Sequence, residues 1–186
     1  MKHIKLFENW ESGGKDFDVT LYYNDKSSYS SNAFLMYKNN EPIGFITYYY
    51  DESADVYCVS GVYVDRKYRG QGYGTFLYET VMTMVNPKGV TMTRDSMTSP
   101  DATDVWEKFD NRKDVKKERI NFEGMTHKRE DLPNGFMGDE TEYVEKMLRL
   151  EDTRFFYSYG KDKLDSYLEE PLDDFDEVLD PMLDKM

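Results

Sequence analysis

At 186 residues, with 39% apolar and 16% aromatic side chains, the chain has the length of one domain with an extension and enough apolar mass for a core, which excludes global disorder. A lone cysteine, Cys58, excludes an internal disulfide and says nothing against a reducing cytosol; with only His3 and His127 besides, a metal site would rest on carboxylates, and none is expected. The net charge of −13 disfavours unaided nucleic-acid binding and favours a cationic partner, such as an amine or a lysine-bearing protein.

No apolar run approaches the roughly 18 residues of a membrane span, and Met1 to Lys5 shows no signal-peptide pattern, so a cytoplasmic location is expected. In chain order, the alternation of Phe17 to Tyr23 predicts a first strand, and Asn24 to Ser28 a polar break. Ala33 to Lys38 and Ile43 to Tyr50 are β-rich runs around Asn39-Asn40-Glu41-Pro42, a hairpin by its turn chemistry. Val56 to Val64 is a fourth strand, in which Gly61 marks either a bulge or a close backbone approach. A glycine-rich turn follows, then a helix from Tyr73 to about Val85 with Phe76, Leu77, Val81, Met84 and Val85 on one face. Asn86-Pro87-Lys88-Gly89 stops that helix, and Val90 to Thr93 returns parallel to the fourth strand, completing a βαβ unit.

The turn carries the chemistry. Gly70, Gly72 and Gly74 admit positive φ and leave no side chain before a close ligand, while the helix start and Arg66, Lys67 and Arg69 add positive potential. This is a pyrophosphate cradle, with a bare tight turn as the plainer alternative. The dinucleotide pattern Gly-x-Gly-x-x-Gly fails by one residue at its third spacing, and a P-loop fails because no lysine precedes Thr75.

What fits is Arg/Gln-x-x-Gly-x-Gly/Ala, present as Arg69-Gly70-Gln71-Gly72-Tyr73-Gly74 with Val64 upstream. This resembles the acyl-CoA loop of the GNAT acetyltransferase superfamily. The resemblance extends to Ser99-Pro100-Asp101-Ala102, a well-formed helix start, followed by Val105-Trp106-Glu107-Lys108-Phe109. It implies an α/β fold, a mixed and mostly antiparallel sheet whose fourth and fifth strands form a central parallel pair, with flanking helices. Residues 1–130 would be the acetyltransferase domain and residues 131–186 an acidic helical extension. The Ser99 to Lys108 phrasing and the opening Met1 to Asn9 are also similar to tailed-phage members of the superfamily.

The same resemblance implies acetyl-CoA as cofactor. Arg69, Gly70, Gln71, Gly72, Tyr73, Gly74 and Thr75 would hold its pyrophosphate, and Val62, Tyr63 and Val64 would align the pantetheine and polarise the thioester. Trp106 stands where many family members carry the tyrosine that protonates the thiolate, and an indole N–H has no useful acidity. Either Ser96, Ser99, Tyr57, Tyr63 or solvent takes over that work, or the domain binds CoA without efficient transfer. A base is equally open: Asp55 and Asp65 bracket the fourth strand and Asp95 follows the fifth, each also readable as a solvated strand-end acid. Cys58 reads as buried packing, with a nucleophile as the alternative. Tyr48-Tyr49-Tyr50 reads equally as an acceptor pocket or as strand aromatics.

Residues 161–186 hold ten acids against three lysines, −7 of the total charge. Leu164, Leu168, Leu172, Phe175, Leu179, Met182 and Met186 form an apolar stripe that Pro171 and Pro181 should break into short helices. The stripe would dock on its own domain, on a partner protein or a second copy, or remain a free acidic arm. Two functions follow: an N-acetyltransferase moving acetyl from acetyl-CoA to a primary amine by direct attack, or a GNAT-fold binding or structural protein, virion-associated or host-interacting, acting through its acidic extension.

Overall fold

The structure is a computed structural model that describes residues 4–5, 18–25, 31–92, 98–120, 146, 149–150, 152–159, 161–165, 168–170 and 172–186. An antiparallel series opens the sheet: β1 (Ile4–Lys5), β2 (Asp18–Asn24), β3 (Asn32–Lys38), β4 (Glu41–Asp51) and β5 (Val56–Val64). The β3–β4 hairpin turns on Asn39 and Asn40, at φ of 52° and 65°, with Lys38 opposite Glu41. Two positive-φ residues are what a two-residue type I′ loop requires, and asparagine supplies them at low cost. The β4–β5 turn is held by the Asp51 carboxylate, which accepts from the Ser53 and Ala54 amides at 2.9 and 3.3 Å.

After β5 come α1 (Tyr73–Met84) and β6 (Val90–Met92), which pairs with β5 in parallel from Tyr57↔Val90 to Val59↔Met92. This is the expected parallel pair; β1 adds one strand ahead of the first one expected. Then follow α2 (Pro100–Asn111), β7 (Lys116–Arg119), β8 (Thr153–Phe156), α3 (Lys161–Asp165), β9 (Leu168–Glu169) and α4 (Phe175–Leu183). Among the described residues the sheet has nine strands in the order β1-β2-β3-β4-β5-β6-β8-β7, with β9 parallel beside β2. Residues 153–156, assigned from sequence to the extension, thus lie inside the sheet between β6 and β7.

Two apolar layers sandwich this sheet, because successive strand residues point to opposite faces. In β3, Phe34 and Met36 join the larger cluster, which holds Phe76, Leu77 and Val81 of α1, Trp106 and Phe109 of α2 and Phe155 of β8. Ala33 and Leu35 join the second, where Phe45 meets Phe175, Leu179 and Met182 of α4. The apolar stripe of the tail therefore docks on its own chain, but not as one face. Leu164 is buried in α3, which packs against α1; the chain then passes along the β2 edge as β9, and Phe175 to Met182 cover the opposite face. Pro181 does not end α4, contrary to its expected effect. It sits on the exposed side of the last turn, between the buried Leu179 and Met182, whose packing holds the helix past it.

Candidate functional site

The cradle begins where β5 ends. Asp65 caps a single 3₁₀ turn, Arg66–Tyr68, by accepting from the Lys67 amide at 3.0 Å. Arg69 is extended and its Nε donates to the Val64 carbonyl at 2.9 Å, which ties the turn back onto the strand. Gln71 closes the other side, its Nε2 donating to the Lys67 carbonyl at 2.9 Å. Gly70 and Gly72 have φ of 71° and 95°, a region side-chain-bearing residues rarely adopt, and Gly72 is the N-cap of α1.

Among the described residues no side chain caps α1, and no acid lies in its first turn. A helix start left this way offers amide donors and partial positive charge to an anion. A Cβ on Gly74 would meet no described atom outside the helix backbone nearer than Val64 Cγ2 at 4.0 Å, so the described residues leave room there. Thr75 is half-buried in the first turn, and Tyr73 is buried, its ring 5.8 Å edge-on from that of Tyr68 with Lys38 Nζ above it at 5.6 Å. Lys67 pairs with Glu41 at 3.3 Å, while Arg66 and Arg69 stay exposed at the rim.

Leading away from the cradle, β5 is paired with β4 on one edge, while on the other, among the described residues, it is paired along only half its length. There its described partnership with β6 runs from Tyr57↔Val90 to Val59↔Met92. Asp65 N–H donates to the Ile43 carbonyl at 2.8 Å, so by antiparallel alternation the peptide groups of Tyr63 and Gly61 face β4, and those of Val62 and Val64 face the open edge. The Val64 carbonyl is taken by Arg69, which leaves the Val62 peptide group and the Val64 N–H directed into the gap. An extended chain carrying amides could lie there as a strand lies beside its neighbour. A cradle for a diphosphate, continuous with an open edge for an amide-bearing arm, fits CoA.

Gly61 proves to be both of the things its position suggested. Thr47 pairs with Gly61 and Tyr48 with Val59, so Ser60 is the extra residue of a β-bulge. A Cβ on Gly61 would also meet Thr47 Oγ1 at 3.0 Å and Met186 Sδ at 3.1 Å. At this bulge the exposed Ser60 hydroxyl donates to Thr47 Oγ1 at 2.9 Å. Sequence reading did not single out Ser60 or Thr47, and it placed Met186 only in the apolar stripe of the tail; the one signal for this spot was the glycine within the strand.

The acid–base candidates are scattered. Trp106 is 1% exposed, its ring 4.9 Å from Tyr78 and 5.2 Å from Phe155, which places the indole in the core between α1, α2 and β8. Ser99 caps α2, its hydroxyl accepting from the Ala102 amide at 3.3 Å. Ser96 and Asp95 lie outside the described residues. Asp55 pairs with Lys88 and accepts from the Tyr50 hydroxyl; Lys88 first, then Tyr50, holds its carboxyl below the usual range. Asp65 is engaged as a cap. Cys58 is buried beside Val56 and Ile120. Tyr63 stacks on Phe45 at 5.9 Å on the α4 face, while Tyr57 leans on Tyr48 and Tyr50. Tyr48 and Tyr50 flank Tyr57 on one face, the first in the main core and the second beside Asp55, while Tyr49 packs with the Cys58 cluster on the other.

One buried charge stands apart from the cradle. Glu79 of α1 is 1% exposed and paired with Arg112 just after α2. Burial pushes its carboxyl up to about 8, against the opposing pull of the Arg112 guanidinium. Among the described residues no group of His, Cys, Asp and Glu side chains is placed to hold a metal, and no helix is long and apolar enough to cross a membrane.

A family model described as the acetyltransferase (GNAT) family matches residues 4–110, from β1 into the last turn of α2. Among solved structures, N-acetylglutamate synthase from Neisseria gonorrhoeae, complexed with coenzyme A and N-acetyl-glutamate, is similar at 12% identity and a TM-score of 0.33. That likeness covers 66% of this chain, which spans 24% of the synthase chain. No curated protein matches in sequence.

Proposed function

Because the chain belongs to the acetyltransferase (GNAT) family, whose model covers residues 4–110, we propose that it moves an acetyl group from acetyl-CoA to a primary amine, with both substrates bound at once. The amine belongs to a small molecule, a protein lysine or a protein N-terminus. The observation that carries this reading is the start of α1 behind Gly70 to Gly74, which no described side chain caps, continuous with the half of the β5 edge on which no described strand pairs. In it, the amides of the cradle and the α1 dipole bind the pyrophosphate, and Arg66 and Arg69 add charge from the rim. The Val62 peptide group and the Val64 N–H orient the pantetheine arm. Bound acetyl-CoA supplies a thioester, whose C–S bond breaks as the amine forms its C–N bond and whose departing sulfur receives the proton the amine gives up. An N–H at the open edge stabilises the charge that develops on the acyl oxygen.

This division of labour asks little of side-chain acids. Positioning and fixed donors account for large parts of an acyl-transfer barrier, while a general acid adds about 10²–10⁴-fold. The described stretch of β5 holds no carboxylate, and the acids at its two ends are engaged elsewhere. That observation favours slow transfer and keeps a second reading in view, a CoA-binding protein without turnover.

Titration calorimetry tests the cofactor, and transfer of label from radiolabelled acetyl-CoA to a panel of amines tests the reaction. The expected heat is that of micromolar-range binding, and Gly72→Glu should abolish it, since it brings a side chain and a negative charge to a positive-φ site on the anion path. A folded wild-type protein that gives no heat at millimolar CoA would overturn the reading. Binding without label transfer to any amine would select the second one.

A further inference from the structure

We propose that Met186 is a specificity-determining residue for the acceptor amine, the wall against which the amine must pass to reach the acyl group. This rests on the acetyl-transfer reading and adds to it the side of approach and the residue that limits it.

Begin from Val62. Its peptide group lies in the plane of the sheet and points away from β4, to the edge where no described residue pairs with it, so an acyl carbonyl hydrogen-bonded to it would lie near that plane. A nucleophile reaches a carbonyl carbon from above or below its plane, hence from one face of the sheet or the other. The α1 face is filled: Val62 and Val64 pack into the cluster that holds Tyr73, Phe76 and Leu77. The other face remains. There the residue before Val62 is Gly61, which puts no side chain in the way, and the atoms beside it are the Met186 thioether and the Thr47 hydroxyl. A Cβ on Gly61 would stand 3.1 Å from Met186 Sδ, 3.3 Å from Met186 Cε and 3.0 Å from Thr47 Oγ1.

Met186 is held there by its own helix end but is not locked in. Its amide donates to the Leu183 carbonyl at 3.1 Å, while the residue is 67% exposed. One large apolar side chain thus stands partly in solvent, over the one strand position that lacks a side chain and next to the Val62 peptide group. An unbranched, adaptable thioether suits a wall that gives way to a slim chain and resists a broad one. The polar spot under the wall is the Ser60–Thr47 hydroxyl pair, open to water at Ser60.

The test compares a slim amine, n-hexylamine, with a broad one, cyclohexylamine, on wild type, Met186→Ala and Met186→Leu. Two readouts are used: kcat/KM for each amine, and calorimetric binding of each amine to the CoA complex, which needs no turnover. Met186→Ala should raise the cyclohexylamine-to-hexylamine ratio by about tenfold, the size of effect that removing one apolar contact has on selectivity. CoA binding and melting temperature should stay as in wild type, and Met186→Leu, of similar volume, should restore the wild-type ratio. An unchanged ratio in Met186→Ala overturns the proposal, as does loss of CoA binding, which would put Met186 in the cofactor site. A wild-type protein that binds CoA but acetylates no amine removes the acetyl-transfer reading, and the Met186 wall is then decided by the binding ratio alone. A wild-type protein that binds no CoA overturns both.

Discussion

On one face of the sheet, α1 and α2 bring Tyr78, Trp106 and Phe109 together in edge-on aromatic packing and bury one ion pair, Glu79 with Arg112. On the other, the nine residues of α4 lay Phe175, Leu179 and Met182 over Ala33, Leu35 and Phe45. The first cover comes from segments that neighbour the cradle in sequence, the second from residues more than a hundred positions beyond the strands they shelter. The cradle and α1 are one continuous piece, so the cofactor end should outlast changes to α4. The acceptor side, if Met186 guards it, should not.

The largest effects should come from core truncations on either face, and their consequences should differ. Trp106→Ala removes the largest fully buried side chain among the described residues and should cost about 3–5 kcal/mol; Leu179→Ala should cost about 2–5 kcal/mol. Chemical denaturation measures both. The comparison breaks if Leu179→Ala, assayed where it is folded, weakens CoA binding as much as Trp106→Ala does. It sharpens if Leu179→Ala loses amine selectivity while its CoA affinity is unchanged.

How far the sequence announces each face follows the same division. The cradle was legible because every residue in it answers a local need: positive φ at Gly70 and Gly72, anion attraction at Arg66 and Arg69, an uncapped helix start at Gly72. The β3–β4 hairpin was legible in Asn39-Asn40, and α2 in Ser99-Pro100-Asp101, where the serine hydroxyl does cap the helix. Non-local contacts left no such trace. Thr153 to Phe156 is too short for an alternation signal, and only its pairing with β6 and β7 makes it a strand. The tail's periodic stripe was visible, but periodicity does not say which surface a stripe will meet; here Leu164 and Phe175 went to opposite faces. Trp106 was aligned by sequence with a mechanistic tyrosine, and only the rings around it show how it is enclosed.

The ion pair under the first face should give a pH signature that the second face lacks. Glu79 is raised from its ordinary value to about 8, chiefly by burial. A carboxyl whose folded pKa lies above its unfolded one contributes stability that is complete below the unfolded value and is lost as pH rises through the folded one. Glu79 should therefore tilt the melting temperature downward between about pH 5 and pH 8. Glu79→Gln should flatten that part of the profile and Leu179→Ala should leave its slope alone. A wild-type profile with the same slope as Glu79→Gln would show that Arg112 compensates the burial in full.

The smallest expected effect belongs to the odd residue of the second face. Pro181 lies inside α4, where it cannot donate to the Glu177 carbonyl four residues back and its ring crowds that carbonyl. A proline in a helix interior is about 3 kcal/mol worse than alanine, but two terms reduce that here. The site is exposed in the last turn, where a carbonyl freed by the proline can turn to water, and the proline also restricts the unfolded chain by about 0.4–1 kcal/mol. Pro181→Ala should then stabilise the protein by about 1–2 kcal/mol, read as a rise in denaturation midpoint with no change in slope. Because the gain comes from a tighter last turn, it should also hold Met186 more firmly over Gly61 and slow the broad amine more than the slim one. A more stable protein with unchanged selectivity would separate the helix's closure of the sheet from the wall at its end. A less stable one would mean that the proline fits a turn whose geometry alanine does not keep.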